Sequence, residues 1–93
     1  MIKGSKDRTT ESVFKGEIPK GFPSDLVKVA RRKLGYLDAA VDLRDLRAPP
    51  GNRLEALKND RRGQYSIRMN DQFRICFRWT ADGPVDVEIT DYH

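Results

Sequence analysis

Apolar and polar residues alternate through three consecutive runs in the second half of the chain, at residues 65–69, 73–79 and 85–89. Strict alternation is typical of β-strands that bury one face. Short polar segments at residues 70–72 and 82–84 separate the runs and favour tight hairpin turns. The pattern therefore predicts a three-stranded antiparallel meander whose apolar face must be covered by another element.

The first half of the chain predicts two helices. Residues 7–16 fit a helix of one or two turns, with Asp7 as its cap and Gly16 as its stop. A longer amphipathic helix is predicted from Ser24, as N-cap, to Val41, and this helix is the natural cover for the sheet. The apolar residues that recur there at helical spacing are Leu26, Val27, Ala30, Leu34, Leu37 and Val41. The basic residues off this stripe form a solvated face, or contact RNA backbone or a partner protein; they are Lys28, Arg31 and Arg32.

The remaining segments predict short or irregular structure. Residues 1–3 fit an edge strand, residues 16–23 a loop, and residues 53–58 a short helical turn. The run Ala48-Pro49-Pro50-Gly51 predicts a turn or an ordered connector, because proline fixes φ and lacks the amide needed in a helix or a central strand. Together the elements predict one α+β domain over residues 1–93.

Composition narrows the class of protein. With 38% apolar and 34% charged residues and no long apolar stretch, the sequence predicts a soluble domain rather than a membrane span or a signal peptide. Cys76 permits no internal disulfide and is interpreted as a packing residue or a quiet surface thiol rather than a nucleophile. One cysteine and one histidine argue against a zinc site, so we predict no metal ion. We also expect no cofactor, and the cytoplasm is the default location, since no disulfide is needed in a reducing compartment. The net charge of +4 and the pI of about 9.5 favour acidic partners, with nucleic acid first among them.

The first hairpin has one register that buries its apolar residues on a single face. A three-residue loop pairs Met69 with Phe73 and points both to the core, whereas a two-residue loop would put the faces out of phase. Arg68 then lies opposite Arg74 on the polar face, where like charges destabilise a sheet. Either an anion between the two guanidinium groups offsets this repulsion, or nearby acids pair with them. The acids in question are Asp71 and Glu88.

The second hairpin follows the same reasoning. Pairing Trp79 with Val85 keeps the apolar residues of both strands on one face. The same register puts Arg78 opposite Asp86, where the two side chains can form an ion pair.

Continued along the strands, this register brings reactive side chains to one end of the polar face. Arg74 lies opposite Thr90, and the last three residues of the sequence follow directly. We therefore expect Arg68, Arg74 and the tail Asp91-Tyr92-His93 to converge there, with His93 reaching the site if the chain bends. Histidine is the side chain whose unperturbed pKa lies near neutrality, and together with a phenol and guanidinium groups it suits chemistry on a phosphate ester.

Two long motifs carry a resemblance to a known family. Residues 49–57 read Pro-Pro-Gly-Asn-Arg-Leu-Glu-Ala-Leu, and residues 66–74 read Ser-Ile-Arg-Met-Asn-Asp-Gln-Phe-Arg. With the ending Asp91-Tyr92-His93, the chain resembles the HigB branch of the RelE toxin superfamily over nearly its whole length, most densely over residues 42–93. The resemblance implies a small α+β domain of RelE-like, microbial-RNase-like type. It would have an antiparallel sheet of three to four strands and two N-terminal helices packed on one face.

The resemblance also implies a function and partners. Members of this family are toxins of type II toxin–antitoxin systems that enter the ribosomal A site and cut the mRNA there without a cofactor. The implied partners are the ribosome with its mRNA and a HigA-like helix-turn-helix antitoxin. Operator DNA would be bound only through the toxin–antitoxin complex, and no membrane is involved.

By the same resemblance, five residues have catalytic roles. His93 is a general acid or base, and Arg74 binds the scissile phosphate with its planar fork. Lys58 contacts a phosphate or the charge of the transition state. Tyr92 stacks on a base or orients the 2′-hydroxyl, and Asp91 orients His93 or Lys58 or caps the tail.

Contacts with RNA are expected from Arg61, Arg62 and Arg68, which would meet ribosomal RNA phosphates, and from Asn70. The chain departs from the family at Glu55, where some relatives carry a histidine; Glu55 serves as the base instead, or it is structural. Two other hypotheses stay open. One is a non-catalytic module that binds RNA or DNA, and the other is a protein-interaction domain whose charged face meets an acidic partner.

Overall fold

Two helices precede a four-stranded antiparallel sheet in this protein, for which a computed structural model describes residues 1–91. Each strand pairs with the next one along the sequence. The helices are α1 (Arg8–Phe14) and α2 (Ser24–Ala39), two 3₁₀ helices cover Leu43–Arg47 and Asn59–Arg61, and the strands are β1 (Glu55–Ala56), β2 (Tyr65–Arg68), β3 (Phe73–Thr80) and β4 (Gly83–Asp91). This architecture confirms the predicted α+β fold. Within residues 1–91, no helix is long and apolar enough to cross a membrane.

The core lies between α2 and one face of the sheet. Leu34 and Leu37 of α2 are fully buried, and so are Ile75 and Phe77 of β3. The helical stripe and the strand alternation each place apolar side chains on one side, so packing the two sides together removes both from water. Full burial of one such side chain contributes about 1.5–3 kcal/mol, and this layer therefore holds α2 on the sheet as the pattern predicts.

The predicted limits of α1 are confirmed, whereas the predicted cap of α2 is wrong. The Asp7 carboxylate accepts a hydrogen bond from the Thr10 amide at 2.8 Å, and Gly16 after the helix has a φ of +97°. Glycine adopts such a backbone without strain. Ser24 is the first residue of α2 rather than its cap, because Pro23 holds the cap position and no side chain bonds to the free amides there.

α2 ends at Ala39, so its predicted continuation to Val41 is wrong. Val41 is 90% exposed, and its amide and that of Asp42 donate to the Asp45 carboxylate at 3.0 Å each. The Asp42 side chain in turn accepts from the Arg44 amide, which completes a capping box for the first 3₁₀ helix. A local polar network therefore redirects the chain before the apolar repeat is finished.

β1 replaces the helical turn predicted for residues 53–58. Glu55 pairs with Ser66 of β2, and Arg53 just before it has a φ of +46°, which interrupts any helical backbone. Without β1, the outer edge of β2 would present unpaired backbone groups, which a short strand can satisfy. The sheet therefore has four strands rather than the three of the meander.

The N-terminal segment runs beside β4, but the strand predicted at residues 1–3 is not formed. The Lys6 amide donates to the Val87 carbonyl at 2.8 Å, and the Val87 amide donates to the Gly4 carbonyl at 3.1 Å. Between these bonds, Ser5 forms an isolated parallel bridge with Val87. The predicted edge position is thus correct, and the segment covers the backbone of β4 slightly further along the chain.

The predicted register of the first hairpin is confirmed. Arg68 pairs with Arg74, and the Met69 amide donates to the Phe73 carbonyl at 3.0 Å. On the other side of β3, Arg74 lies opposite Thr90, also as predicted. Burial of one apolar face was therefore sufficient to align three strands at this end of the sheet.

The second hairpin departs from the predicted register near its turn. Trp79 lies opposite Pro84 rather than Val85, and Arg78 lies opposite Val85. The shift occurs at a bulge in the pairing just beyond Cys76, where Asp86 takes up the extra residue with a φ of +52°. The expected ion pair nevertheless forms, with Arg78 Nε 3.6 Å from the Asp86 carboxylate.

A buried lysine joins α2 to the loop before β1, and the sequence pattern did not reveal it. Lys33 is 3% exposed; its ammonium donates to Asn52 Oδ1 and lies 5.8 Å from the centroid of the Tyr36 ring. Asn52 is fully buried; its Nδ2 donates to the Leu46 carbonyl at 3.0 Å, and its own carbonyl accepts from the Arg68 amide at 2.6 Å. One asparagine therefore connects α2, the first 3₁₀ helix and β2.

Lys33 should make the stability of the protein depend on alkaline pH. Burial, with the nearby charges of Arg32 and Arg68, lowers the pKa of Lys33 below its ordinary 10.5. At pH values between the lowered pKa of the folded chain and 10.5, the unfolded chain binds more protons at Lys33 than the folded chain does. The free energy of unfolding therefore increases with pH across this range. Relative to Lys33→Met, the wild type should gain stability as the pH rises towards 10.5, as measured by urea unfolding at a series of alkaline pH values.

Comparison with Lys33→Met isolates this effect, because the other titrating groups are common to both proteins. Lys28→Met, on the exposed side of α2, controls for the change in net charge. A stability difference between wild type and Lys33→Met that stays constant with pH would contradict the prediction.

Candidate active site

The face of the sheet turned away from α2 collects charged and polar side chains in two rows. One row runs across three strands through Arg68, Arg74 and Thr90. The next row runs across all four strands, through Glu55, Ser66, Cys76 and Glu88. Because residues two apart on a strand share a face, the two rows lie side by side. Cations and carboxylates are therefore neighbours on a rigid surface.

Arg74 is the centre of this polar face. Its Nε donates to Ser66 Oγ at 2.8 Å, and its Nη2 donates to the Arg53 carbonyl at 3.0 Å. The same Nη2 is 2.8 Å from Oε1 of Glu55. The side chain is only 13% exposed, so the planar guanidinium is held in one orientation. Its Nη1 makes no hydrogen bond with residues 1–91 and is the group left to bind an anion.

The repulsion expected between Arg68 and Arg74 is offset by carboxylates of the protein itself. Arg68 forms an ion pair with Asp71, which agrees with the explanation that nearby acids pair with the two arginines. Arg74 pairs with Glu55 rather than with Glu88. Glu55 therefore touches the arginine that the resemblance assigns to the scissile phosphate, and it is 56% exposed at the sheet edge.

Arg61 is engaged with Glu88 on the same face. Its Nη1 lies 2.8 Å from the Glu88 carboxylate and 3.1 Å from the Gln64 side-chain oxygen, and the Lys6 ammonium is 3.7 Å from the same carboxylate. Beside this cluster Cys76 is completely buried, and burial raises the pKa of its thiol. A protonated, inaccessible thiol is a packing residue, in agreement with one of the two roles predicted for it.

Lys58, Arg62 and Asn70 differ in how they are held. Lys58 and Arg62 flank the second 3₁₀ helix, are exposed, and make no side-chain hydrogen bond or ion pair within residues 1–91. Asn70 Oδ1 accepts from the amides of Gln72 and Phe73 at 2.9 and 2.7 Å, so this side chain shapes the hairpin turn. The RNA contacts predicted for these residues stay predictions.

Asp91 lies at the same end of the sheet as Arg74. It closes β4 opposite Phe73, and its Oδ2 accepts from Gln72 Nε2 at 3.0 Å. Arg68, Arg74 and Asp91 therefore lie at the same end of the sheet, and the role predicted for Asp91 stays a prediction. Tyr92 and His93, which complete the predicted site, lie outside the described residues, and their roles stay predictions.

The contacts of Ser66 and Arg53 with Arg74 were not predicted from the sequence. The alternation of residues 65–69 puts Ser66 on the polar side of its strand, which agrees with the structure, but alternation does not show which neighbour its hydroxyl contacts. The Arg53 carbonyl reaches Arg74 because the segment before β1 folds onto the sheet edge. Knowledge that β1 pairs with β2 would have predicted the contact of Glu55 with Arg74, since this pairing places Glu55 beside Ser66.

A sequence model of the RelE-like toxins of the type II toxin–antitoxin system HigB matches residues 5–93. The chain belongs to the HigB-like toxin family. This membership confirms the resemblance carried by the two long motifs and by the small α+β fold.

Similar proteins include further HigB toxins. Toxin HigB-1 of Vibrio cholerae is 49% identical over 62 residues, which cover 67% of this HigB-like chain and 64% of that protein. An uncharacterized protein of Haemophilus influenzae is 41% identical over 64 residues, or 69% of this chain and 63% of that protein. The chain thus spans under two thirds of the length of these two relatives. Endoribonuclease HigB of Proteus vulgaris is 28% identical over 93 residues, covering 100% of both chains.

Proposed function

We propose that this HigB-like toxin is a metal-independent endoribonuclease that cuts mRNA in the ribosomal A site and so stops translation and growth. The observation that carries the proposal is the Arg74 guanidinium, fixed by Ser66 and the Arg53 carbonyl and touched by the Glu55 carboxylate. A pre-oriented cation with a carboxylate beside it is what phosphodiester cleavage by a 2′-hydroxyl requires. The name of the Proteus relative, an endoribonuclease, agrees with this chemistry.

The reaction would proceed by attack of the 2′-oxygen on the adjacent phosphorus. A base removes the 2′-hydroxyl proton, the bond from phosphorus to the 5′-oxygen breaks, and an acid protonates that leaving oxygen. The products are a 2′,3′-cyclic phosphate and a 5′-hydroxyl end. Arg74 would stabilise the charge that builds on the phosphoryl oxygens, through its available Nη1 and its fixed plane.

Glu55 and His93 would divide the two proton transfers. A phosphate bound to Arg74 would bring the adjacent 2′-hydroxyl near the carboxylate that contacts this arginine, which supports Glu55 as the base. His93 would then be the acid for the leaving 5′-oxygen. Tyr92 would stack on a base and Asp91 would orient the tail. These side chains supply both proton transfers and the charge stabilisation, so the scheme needs no metal ion.

Binding to the ribosome would rest on the basic surface around the second 3₁₀ helix. Lys58 and Arg62 are exposed there and available for phosphate contacts. Arg61 and Arg68 are held by Glu88 and Asp71, so they would bind a phosphate by exchanging one anionic partner for another; Asn70 would contribute a contact from the hairpin turn.

The partner that controls this activity would be a HigA-like helix-turn-helix antitoxin. Membership in a type II toxin–antitoxin family implies an antitoxin. We propose that it neutralises the toxin in the cytoplasm, and that operator DNA is bound only by the complex of the two proteins.

The proposal is tested by primer extension on a reporter mRNA in a reconstituted translation reaction. The wild type should produce discrete cuts when ribosomes are present and none on the same mRNA alone. His93→Ala and Glu55→Gln should remove the cuts. Cuts on free mRNA would contradict ribosome dependence, and no cuts by a folded wild-type chain would favour a non-catalytic RNA-binding module.

Ser66→Ala should lower the cleavage rate about fivefold, since the lost hydrogen bond to Arg74 is worth about 1 kcal/mol. Ser66 positions Arg74 rather than touching the RNA, so kcat should fall while KM changes little. Single-turnover cleavage on programmed ribosomes measures this split, and Ser66→Thr, which keeps a hydroxyl, should recover most of the rate. Equal losses for both variants would contradict the positioning role.

A further inference from the structure

The hydrogen bonds between β1 and β2 shift by one residue just before β1 begins. Hydrogen-bonded pairs in an antiparallel ladder recur at every second residue. The Leu57 amide donates to the Gln64 carbonyl at 2.9 Å, and the same register continued past β1 would bond the Arg68 amide to the Arg53 carbonyl. The Arg68 amide instead donates to the Asn52 carbonyl at 2.6 Å. The Arg53 carbonyl is therefore left outside the ladder.

The carbonyl that leaves the ladder is the one that holds Arg74. Arg53 has a φ of +46°, an uncommon conformation for a residue other than glycine, and its carbonyl accepts from Arg74 Nη2 at 3.0 Å. Two residues later, the Glu55 carboxylate lies 2.8 Å from the same Nη2. A regular ladder would give the Arg53 carbonyl to the Arg68 amide, so the bond to Arg74 depends on the shifted pairing.

Two buried side-chain bonds hold Asn52 in the shifted position. Its Oδ1 accepts from the Lys33 ammonium, and its Nδ2 donates to the Leu46 carbonyl at 3.0 Å. Asn52 is fully buried and Lys33 is 3% exposed. Sliding Asn52 by one residue into the regular register would break both bonds and leave a buried ammonium without its acceptor, which is costly. The buried pair therefore opposes the regular register.

We propose that Asn52, anchored by Lys33, is a positioning residue for Arg74, because it fixes the shifted register that presents the Arg53 carbonyl to the guanidinium. The inference rests on the proposed nuclease function, in which Arg74 stabilises the charge on the phosphate. Asn52 and Lys33 are buried and do not touch RNA. They act on Arg74 through the backbone of Arg53.

Two substitutions of Arg53 test the shifted register without changing the buried pair. Arg53→Gly and Arg53→Val remove the same charge, but glycine readily adopts a positive φ, whereas valine favours the extended backbone of a regular strand. Arg53→Val should therefore cleave mRNA about tenfold more slowly than Arg53→Gly in single-turnover reactions on programmed ribosomes. The difference should lie in kcat rather than KM, since both variants lose the same side chain. Equal rates would overturn the proposal.

A second measurement follows the Arg74 guanidinium itself. The order parameter of the Arg74 Nε–H bond, from ¹⁵N relaxation, reports how firmly this group is held within the folded state. It should be high in the wild type and in Arg53→Gly, and it should fall below about 0.6, the flexible range, in Arg53→Val and in Asn52→Leu/Lys33→Met. Lys33→Met alone keeps Asn52 in place and should give a smaller fall. An unchanged order parameter in the double variant would remove Asn52 and Lys33 from the proposal.

The backbone amide of Ile75 is the internal control for this measurement. Ile75 is fully buried on β3, beside Arg74, and pairs with strands on both sides. Its order parameter should stay at the wild-type value in every variant. A parallel fall at Ile75 would overturn the positioning role, because the whole sheet would then have loosened.

The relaxation measurement needs no ribosome, so it separates failure of this proposal from failure of the nuclease proposal. Loss of order at Arg74 in these variants, with no cleavage by the wild type, would uphold the positioning role and reject the nuclease. Cleavage by the wild type, with Arg74 equally ordered in every variant, would reject the positioning role alone.

Discussion

Replacing Arg74 with alanine should lower the rate of mRNA cleavage by about 10²- to 10³-fold, the usual effect of removing one preorganised donor from a developing anion. The Arg74 guanidinium is bonded to Ser66, Arg53 and Glu55 together. Arg74→Lys should recover little of the activity, because an ammonium cannot reproduce the planar fork held by these partners.

Single-turnover cleavage on programmed ribosomes measures this effect, with circular dichroism to confirm that each variant is folded. Arg78→Ala is the matched control: Arg78 lies on the same strand and pairs with Asp86 at the far end of the sheet. Its cleavage rate should stay within about twofold of the wild type, because surface charges away from a site contribute little. A folded Arg74→Ala variant with near wild-type rates would remove Arg74 from the proposed mechanism.

Asn52→Ala should cost about 3 kcal/mol or more of folding stability, since a buried donor left unsatisfied costs about 1–3 kcal/mol and a charged one costs more. The substitution removes the acceptor of the buried Lys33 ammonium and the donor to the Leu46 carbonyl together. Urea unfolding measures the loss. A loss below about 1 kcal/mol would mean that water or a rearranged side chain replaces Asn52.

A double substitution tests the physical cause of this loss. In Asn52→Leu/Lys33→Met both polar partners become apolar, so no buried ammonium is left without an acceptor. The double variant should therefore be more stable than Asn52→Ala, as replacing both members of a buried pair costs less than removing one. If the stability loss of the double variant equals the sum of the losses of Asn52→Leu and Lys33→Met, then Lys33 and Asn52 do not stabilise each other.

The alternation of residues 65–89 was enough to predict the hairpin and the meeting of Arg68 with Arg74, because only one register buries a single apolar face. It failed at Trp79, where a bulge at Asp86 shifts the pairing by one residue. A bulge depends on the turn geometry and on the twist of both strands, and neither is encoded in the period of two.

The contacts that organise the site depended on structure beyond these patterns. β1 has two residues, too few to show any period, yet its pairing with β2 is what brings Glu55 to Arg74. Lys33 reads as one more basic residue of an amphipathic helix, and its partner Asn52 lies 19 residues away in a loop. Such contacts join segments that are distant in the sequence, so the pattern within either segment does not predict the contact.

The sequence by itself determined the family, the two helices, the three long strands and the row that holds Arg68 and Arg74, because long motifs and strict periodicity are local properties of the chain. Only the tertiary structure decided that Glu55 rather than Glu88 pairs with Arg74, that Lys33 is buried, and that the Arg53 carbonyl bonds to Arg74. These features depend on how β1 and the loop before it pack against the other strands of the sheet. That arrangement is set by backbone pairing and packing between distant segments rather than by any local pattern.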